Sequence, residues 1–214
     1  MLNGFTKKSD YKIEDAVREM KELSYVKFDE SVDVAVILST NKKSSDQHLK
    51  GVAVLPHANG VSRRILAICS SGHEKECLDA GADFAGGDDY LKKIEGGWLD
   101  FDVIVTVPAM MLKISKLGRI LGPKGLMPNP ETGGVSDNIV KSIEEIKKGR
   151  VELKVNKDGT MHCCIGKLSF GVEKLVENFN SYVLAVKDML KNRSNNIKRI
   201  SVSSTMGVSF KIDY

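Results

Sequence analysis

The chain changes its pattern of apolar residues twice, and these changes constrain its fold more than any other feature of the sequence. Between residues 65 and 107 short apolar stretches alternate with helical ones, ending in FDVIVTV (101–107), a strong signal for a buried strand. Such alternation is typical of parallel βαβ units. Both ends of the chain instead combine β-branched strands with amphipathic helices. We therefore predict a split α+β domain formed by residues 1–57 and 151–214, with an α/β domain inserted at 58–150.

Local signals place the elements within these two parts. Helical spacing of apolar residues predicts helices at 13–23 and 172–190, and a polar stretch at 39–50 is expected to be an exposed connection. The Asp158-Gly159 pair predicts a β-hairpin that joins strands 151–155 and 161–165. In the insert, Pro108 fits the first turn of a helix running towards Gly122. Ser136 is the expected N-cap of a further helix at 137–148.

Composition excludes several classes of protein. With 214 residues, 42% of them hydrophobic and 28% charged, the chain can bury a core and is not intrinsically disordered. No apolar run approaches the roughly 18 residues that a membrane span needs. The first residues, MLNGFTKKSDYKIEDAV, have neither the apolar centre of a signal peptide nor the acid-poor pattern of a transit peptide. A soluble cytoplasmic protein without a membrane partner is expected.

The cysteines leave a metal site as a minor alternative. None of the four (Cys69, Cys77, Cys163 and Cys164) forms a CxxC pair. A zinc ion could take His73 with Cys77 and His162 with Cys163, but the recurring close pairs of structural zinc sites are absent. Buried free thiols explain these residues more simply, so we expect no metal and no cofactor.

The distribution of charge along the chain is more informative than its net value of +4. Residues 103–130 contain no acid and four cations: Lys113, Lys116, Arg119 and Lys124. Residues 189–212 also lack acids and carry five cations: Lys191, Arg193, Lys198, Arg199 and Lys211. A solvated surface would explain either stretch, but two acid-free basic stretches favour a polyanionic partner.

The most informative motif is GRILGPKGLMPNP (118–130), with three glycines, three prolines and two basic residues. It lacks the Gly-Lys-Ser/Thr of a phosphate-binding P-loop and does not follow the first strand of the insert, where a dinucleotide fingerprint belongs. We interpret it as a stiff, exposed basic loop used for binding. A nucleotide-dependent enzyme built on the insert is the alternative, although no Ser/His/Asp or Cys/His constellation supports it.

Several blocks in register resemble one known family. SKLGRILGPKGLMPNP (115–130), VKFDESVDVAV (26–36), SDQHLKGVAVLPH (45–57), GKLSF (166–170) and SVSSTMGVSFKI (201–212) closely resemble the family of the universal stalk protein of the large ribosomal subunit, ribosomal protein "L one". The resemblance implies a split α+β domain with a Rossmann-like insert. It also implies a non-catalytic constituent of the large ribosomal subunit, monomeric when free, that works in the cytoplasm on the ribosome.

The resemblance further implies the partners and the residues that contact them. The partners would be stalk ribosomal RNA, the exit-site tRNA whose release the protein assists, and its own mRNA, whose translation it represses. The ribosomal RNA surface would comprise Lys27, Phe28, Ser31, His162, Lys167, Ser169, Thr205, Met206 and Gly207. Secondary contacts to RNA or tRNA would come from Lys116, Arg119 and Lys124. From the residues alone, Phe28 fits core packing at the start of a strand instead.

Overall fold

The computed structural model describes residues 10–39, 50–69, 72–130, 133–156, 158–190 and 196–213. It shows a mixed α/β fold that divides into two compact units. Unit 1 comprises Met1–Val61 and Gly149–Tyr214, and unit 2 comprises Ser62–Lys148. Most of the connection expected at 39–50 lies outside the described residues.

The helices and strands are numbered in chain order. Those of unit 1 are α1 (Ile13–Leu23), β1 (Ser31–Ser39), β2 (Lys50–Val54), β6 (Arg150–Lys154), β7 (Thr160–Lys167), α7 (Val172–Leu190), β8 (Asn196–Ser204) and β9 (Ser209–Ile212). Those of unit 2 are β3 (Ile65–Ile68), α2 (Glu74–Asp79), β4 (Phe84–Gly86), α3 (Asp88–Glu95), β5 (Val103–Thr106), α4 (Pro108–Ser115), α5 (Gly118–Leu121) and α6 (Ile139–Lys147).

Unit 1 is built on an antiparallel sheet of order β7-β1-β8-β9. Strand β1 shows why the sheet has one core face: Val32, Val34, Val36 and Leu38 are buried, and the residues between them are more exposed. This alternation follows from the two-residue period of a strand. Helices α1 and α7 complete the core with the buried side chains of Ala16, Val17, Met20, Leu175, Phe179, Tyr182, Val183 and Val186.

Unit 2 contains a parallel sheet of order β4-β3-β5. All four residues of the central strand β3 are buried, as expected when helices cover both faces of a parallel sheet. Leu66 and Ile68 pack into one apolar cluster with residues of α3 and α4. Ile65 and Ala67 pack into a second cluster with residues of α2 and α6. The parallel βαβ arrangement expected from the strand and helix alternation is therefore present.

The expected hairpin between 151–155 and 161–165 is wrong. The chain does reverse there, with Asn156 N–H donating to Thr160 O at 2.8 Å and Gly159 N–H donating to Asn156 O at 2.9 Å. The two strands then enter different sheets, because β6 pairs with β2 and β7 pairs with β1. A turn signal specifies the reversal of the chain but not which strand each arm pairs with.

Two helix ends in unit 2 also differ from expectation. Ser136 is not the N-cap of α6: Asn138 is, and its side-chain oxygen accepts from Lys141 N–H at 3.1 Å. Ser136 instead forms a turn two residues before the N-cap, where its hydroxyl oxygen accepts from Asn138 N–H at 3.2 Å. The helix that begins at Pro108 ends at Ser115, and α5 follows as a separate turn. Within the part of the chain that the structure describes, no helix is long and apolar enough to cross a membrane.

Candidate nucleic-acid interface

Three segments of unit 1 meet at one end of its larger sheet. They are residues 24–31 leading into β1, 167–169 at the end of β7 and 204–207 at the end of β8. The strand register brings them together, since Ser31 pairs with Lys167 and Val32 pairs with Ser204. These segments hold eight of the nine residues that the resemblance assigns to ribosomal RNA. We call these eight the edge cluster: Lys27, Phe28, Ser31, Lys167, Ser169, Thr205, Met206 and Gly207.

Three members of the edge cluster form one connected set of hydrogen bonds. Ser31 N–H donates to the Thr205 hydroxyl at 3.0 Å, and that hydroxyl lies 3.3 Å from Ser31 O. The Lys167 ammonium donates to the Ser31 hydroxyl at 2.9 Å. Thr205 is exposed and Lys167 is half-buried, so the set lies at the surface with its positions already fixed.

Ser169 is held by an aspartate that sequence reasoning missed. Its backbone N–H donates to one oxygen of Asp29 at 3.0 Å, and its hydroxyl donates to the other at 2.7 Å. Both carboxylate oxygens of Asp29 are therefore engaged within the protein. The Ser169 oxygen keeps its capacity to accept a hydrogen bond from a ligand.

Glu30, which sequence reasoning also missed, lies beneath the cluster with only 2% of its surface exposed. One carboxylate oxygen accepts from Met206 N–H at 2.8 Å and from the Ser204 hydroxyl at 3.3 Å. The other accepts from the Ser24 hydroxyl at 2.9 Å. Its backbone carbonyl accepts from Leu168 N–H at 2.8 Å. One buried acid thus ties together all three segments of the site.

The sequence contains a signal that points to Asp29 and Glu30 as structural acids of the site. KFDES places two consecutive carboxylates inside a segment whose resemblance points to a polyanion. Carboxylates that faced a phosphate backbone would repel it, so they must be turned inward or hydrogen-bonded within the protein. Glu30 is turned inward in this way, whereas Asp29 stays exposed with both of its carboxylate oxygens accepting from Ser169.

Gly207 is required by a close approach within the turn that follows β8. A Cβ atom at this position would lie 2.2 Å from the Ser204 hydroxyl oxygen, the same hydroxyl that contacts Glu30. Any larger residue would displace Ser204. The glycine therefore keeps the 204–207 turn tight against the buried carboxylate.

The surface of the edge cluster combines apolar side chains with a cation. Phe28 is 54% exposed and Met206 is 55% exposed, and Lys27 is exposed beside them. The core-packing alternative for Phe28 is therefore wrong. Exposed aromatic rings beside cations are suited to stacking on a base or a ribose of RNA.

Cys164 lies next to this surface as a neutral group. Burial raises the pKa of its thiol above the ordinary value, and the thiol donates to Gly166 O at 3.6 Å. The thiol therefore stays protonated at neutral pH and adds no negative charge beneath the site.

His162, the ninth residue assigned to ribosomal RNA, lies apart from the edge cluster. It is exposed on β7 opposite Ala35, five residues from Lys167, which corresponds to roughly 16 Å at about 3.3 Å per residue. The structure does not bring it to the cluster, and its contact with RNA stays a prediction.

The secondary residues lie on unit 2, where Lys116, Arg119 and Lys124 are all exposed. Consecutive turns hold the loop that carries them: Gly122 N–H donates to Gly118 O at 2.9 Å, and Leu126 N–H donates to Leu121 O at 3.1 Å. Buried Leu117, Leu121 and Pro128 anchor the segment. The loop therefore has an apolar inner side and a basic outer side.

Comparison with known proteins identifies the family. The profile of the Ribosomal protein L1p/L10e family matches residues 20–208, most of the chain. The chain belongs to this family.

Curated relatives agree with this membership. The "Large ribosomal subunit protein uL1" of Macrococcus caseolyticus is 46% identical over 205 residues, which cover 95% of this chain and 89% of the relative. The protein of the same name from Maridesulfovibrio salexigens is 45% identical over 203 residues, covering 94% and 87%. That of Amoebophilus asiaticus is 43% identical over 205 residues, covering 95% and 88%.

Membership in the L1p/L10e family decides between the two functions that the sequence left open. The chain is a structural constituent of the large ribosomal subunit, located in the cytoplasm on the ribosome, and it is not an enzyme. Nothing supports the nucleotide-dependent alternative. Among the described residues, no group of three or more His, Cys, Asp or Glu side chains is placed to hold a metal ion.

Proposed function

We propose that the edge cluster binds ribosomal RNA of the large-subunit stalk. The observation that carries this proposal is the hydrogen-bonded organisation of the site around two acids, of which Glu30 is buried. Asp29 and Glu30 are engaged within the protein, while hydroxyls, amides and lysines remain at the surface. Such a surface attracts phosphates and presents hydroxyl groups to the ribose 2′-OH.

The proposed mode of binding depends more on fit than on charge. Thr205, Met206 and Gly207 form an exposed turn without a charged side chain, held from below by Glu30. Because the turn is fixed before RNA arrives, little conformational entropy is lost on binding. Lys167 and Lys27 supply the cationic contacts beside it.

Thr205→Ala tests this proposal. Loss of the hydroxyl should weaken binding to a stalk transcript of large-subunit ribosomal RNA by about 1–3 kcal/mol, because Ser31 N–H loses its acceptor and the RNA loses a contact. Met206→Ala should weaken binding similarly by truncating an exposed apolar contact. The slope of log affinity against log salt should stay unchanged for both, since neither variant removes a phosphate contact.

The matched control is Thr160→Ala, which removes a threonine hydroxyl at the opposite end of β7. It should bind the transcript as the wild type does. Circular dichroism establishes that each variant is folded. A folded Thr205→Ala protein with wild-type affinity would contradict the assignment of this site.

We propose that the basic loop of unit 2 contacts exit-site tRNA and assists its release. Support comes from the outward position of Lys116, Arg119 and Lys124 on a segment with a buried apolar side. Arg119→Ala combined with Lys124→Ala should reduce tRNA crosslinking on the ribosome. Affinity for the isolated stalk transcript should remain nearly intact, and equal loss of both activities would place the principal RNA site in unit 2.

Autoregulation follows if the protein's own mRNA presents a structure like the stalk RNA. We infer that the same edge cluster then binds both RNAs, so that the mRNA and the stalk transcript compete. Thr205→Ala should relieve repression of a reporter carrying the mRNA leader in parallel with its loss of stalk binding. Unchanged repression by that variant would assign mRNA binding to another surface.

For the architecture, we propose two separately folding domains: a split α+β domain (1–57 and 151–214) and a Rossmann-like insert (58–150). The antiparallel sheet of unit 1 and the parallel sheet of unit 2 support this division, as does the compactness of each unit. The free protein is proposed to be a monomer, and sedimentation equilibrium would reveal a dimer if this is wrong.

A further inference from the structure

We propose that Tyr25 is an additional RNA contact, whose ring forms a stacking platform for an unpaired base beside the edge cluster. This inference rests on the proposed binding of ribosomal RNA by that cluster. Tyr25 is 68% exposed, and no other aromatic side chain in the described part of the chain is more exposed. It is not among the residues that the resemblance assigns to RNA.

Two contacts place Tyr25 beside the edge cluster, one made by the preceding residue and one made by its own hydroxyl. The preceding residue, Ser24, donates to the buried carboxylate of Glu30 at 2.9 Å. The Tyr25 hydroxyl lies 3.5 Å from the backbone carbonyl of Met206, a long contact that reaches across to the 204–207 turn. The ring is thus held against the edge cluster while most of its surface stays exposed.

The exposed apolar surface at this point is larger than Phe28 and Met206 alone provide. Tyr25, Phe28 and Met206 are all more than half exposed, although phenylalanine and methionine are ordinarily buried and tyrosine is usually at least partly so. Tyrosine offers a large rigid surface with few rotatable bonds, so fixing it costs little entropy on binding. A group of such side chains at one place marks a binding surface rather than scattered exposure.

Charge identifies the occupant as a nucleic acid base rather than an apolar protein segment. Lys27 is exposed between Tyr25 and Phe28 in the chain, and the acids that follow, Asp29 and Glu30, are engaged within the protein. An exposed cation beside aromatic rings, with the Asp29 and Glu30 carboxylates already accepting hydrogen bonds within the protein, suits a ligand that pairs an apolar face with a negative backbone. A paired base presents no free face, so the occupant is an unpaired base.

The test compares Tyr25→Ala and Tyr25→Phe in the full chain, with the stalk transcript of large-subunit ribosomal RNA as the probe. Stacking on one ring is worth about 1–3 kcal/mol, so Tyr25→Ala should weaken binding roughly 5- to 150-fold. Tyr25→Phe retains the ring and should stay within about twofold of the wild type, because the hydroxyl contact is long. The salt slope should not change for either variant.

Leu184→Ala is the matched control, since Leu184 is 61% exposed on α7 of the same unit. It should bind as the wild type does. A second measurement detects stacking directly: Tyr25→Trp is placed in a Trp98→Phe background, which removes the chain's single natural tryptophan. Binding of the transcript should quench the fluorescence of the new tryptophan and protect it from acrylamide.

The outcomes separate this inference from the function on which it rests. A wild-type protein that fails to bind the transcript would overturn both. Suppose that the wild type binds the transcript and that Thr205→Ala weakens this binding. Unchanged affinity of Tyr25→Ala then overturns the stacking role alone, and the exposed ring would instead contact a protein. Equal loss in Tyr25→Phe and Tyr25→Ala also overturns it, because the hydroxyl would then act by positioning the 204–207 turn.

Discussion

At the scale of one residue, Glu30 shows how a buried acid can stabilise a site that we propose binds a polyanion. Its carboxylate is buried and accepts three hydrogen bonds, from Ser24, Ser204 and Met206. Each of these donors belongs to a segment that carries exposed members of the edge cluster. The carboxylate of Glu30 therefore fixes the backbone of the site and does not contact the ligand.

We predict that Glu30→Gln lowers both stability and RNA affinity. Glutamine keeps the shape but removes the charge and turns one accepting oxygen into a donor, so the charge-assisted hydrogen bonds weaken and at least one must reverse or break, at a cost of about 1–3 kcal/mol. Chemical denaturation measures the first effect, and titration of the stalk transcript measures the second.

Glu22→Gln provides the comparison, because Glu22 is an exposed acid at the end of α1. Removing an exposed acid near a nucleic-acid site leaves affinity unchanged or raises it slightly. Tighter RNA binding by Glu30→Gln would show that its carboxylate acts on the RNA as a surface charge, contrary to the buried role described above.

At the scale of elements, α7 holds unit 1 together through a buried polar residue. Asn178 is fully buried, and its amide donates to His57 O at 2.9 Å and to Ile165 O at 2.7 Å. Its side-chain oxygen accepts from His57 N–H at 3.0 Å. The helix thereby supplies hydrogen bonds to backbone groups of β7 and of the segment that follows β2.

Asn178→Ala should destabilise the protein by about 1–3 kcal/mol, because it removes the hydrogen bonds to half-buried His57 and to the buried Ile165 carbonyl. Urea denaturation followed by far-UV circular dichroism measures the change. Asn180→Ala, two residues along the same helix and exposed, should stay within about 0.5 kcal/mol of the wild type. Similar stabilities of the two variants would contradict this role for Asn178.

The helix and strand layers of unit 2 bury two thiols that give the unit a dependence on alkaline pH. Burial raises the pKa of Cys77 to about 12, with contributions from nearby Cys69 and Glu76, and burial also raises the pKa of Cys69. In the unfolded chain a thiol titrates at about 8.5. The folded unit therefore binds these protons more tightly, and stability is lost as pH rises from about 8.5 towards 12.

We predict that the fluorescence of Trp98, the single tryptophan, reports lower unfolding free energy of unit 2 at pH 10 than at pH 8. Cys77→Ala should be less stable at both pH values because of the lost packing, but its stability should fall less with pH. Equal pH dependence in the two proteins would exclude Cys77 as the cause.

The sequence predicts elements best where the pattern is local. Helices α1 and α7 begin and end where the spacing of apolar residues places them, at Ile13–Leu23 and Val172–Leu190. Strand pairing is not a local property. The Asp158-Gly159 turn therefore predicts that β6 and β7 pair with each other, whereas β6 pairs with β2 and β7 pairs with β1. The polar Asn178 on the apolar face of α7 was missed because its partners lie far away in the chain.

The edge cluster shows the same limit at the site. Composition and charge favour a polyanion but do not select Thr205 or Met206, which carry no charge. The resemblance supplied those residues, and the strand register places them beside Ser31. The partners of Asp29 and Glu30, and the position of Tyr25, became apparent only from contacts between segments distant in the chain.

At the scale of the whole molecule, the chain leaves and re-enters unit 1 at neighbouring points. A Cβ atom on Gly149, which has a φ of +104°, would lie 2.9 Å from Ala58 Cα. Leu55 N–H also donates to Gly149 O at 3.3 Å. The two connections to unit 2 therefore start side by side, as an inserted domain requires.

Replacing Ser62–Lys148 with a short Gly/Ser linker should leave a folded protein that binds the stalk transcript, because the edge cluster and its core lie within unit 1. Cooperative thermal unfolding and RNA titration are the measurements. The Thr205→Ala change in the shortened chain should weaken binding as it does in the full chain. An aggregated or non-cooperative product would contradict the proposed division into domains.

The placement of β1 also affects the order in which the chain can fold as it is synthesised. Strand β1 is made early, but its partners β7 and β8 end only at Lys167 and Ser204. Unit 2, which ends at Lys148, has all its residues before either partner exists. At roughly 5–20 residues per second, the edges of β1 then wait about 6 to 33 seconds for their neighbours. During translation the aggregation hazard of this protein is therefore expected to lie in its first strand, whose unpaired edges require protection until the last strands emerge.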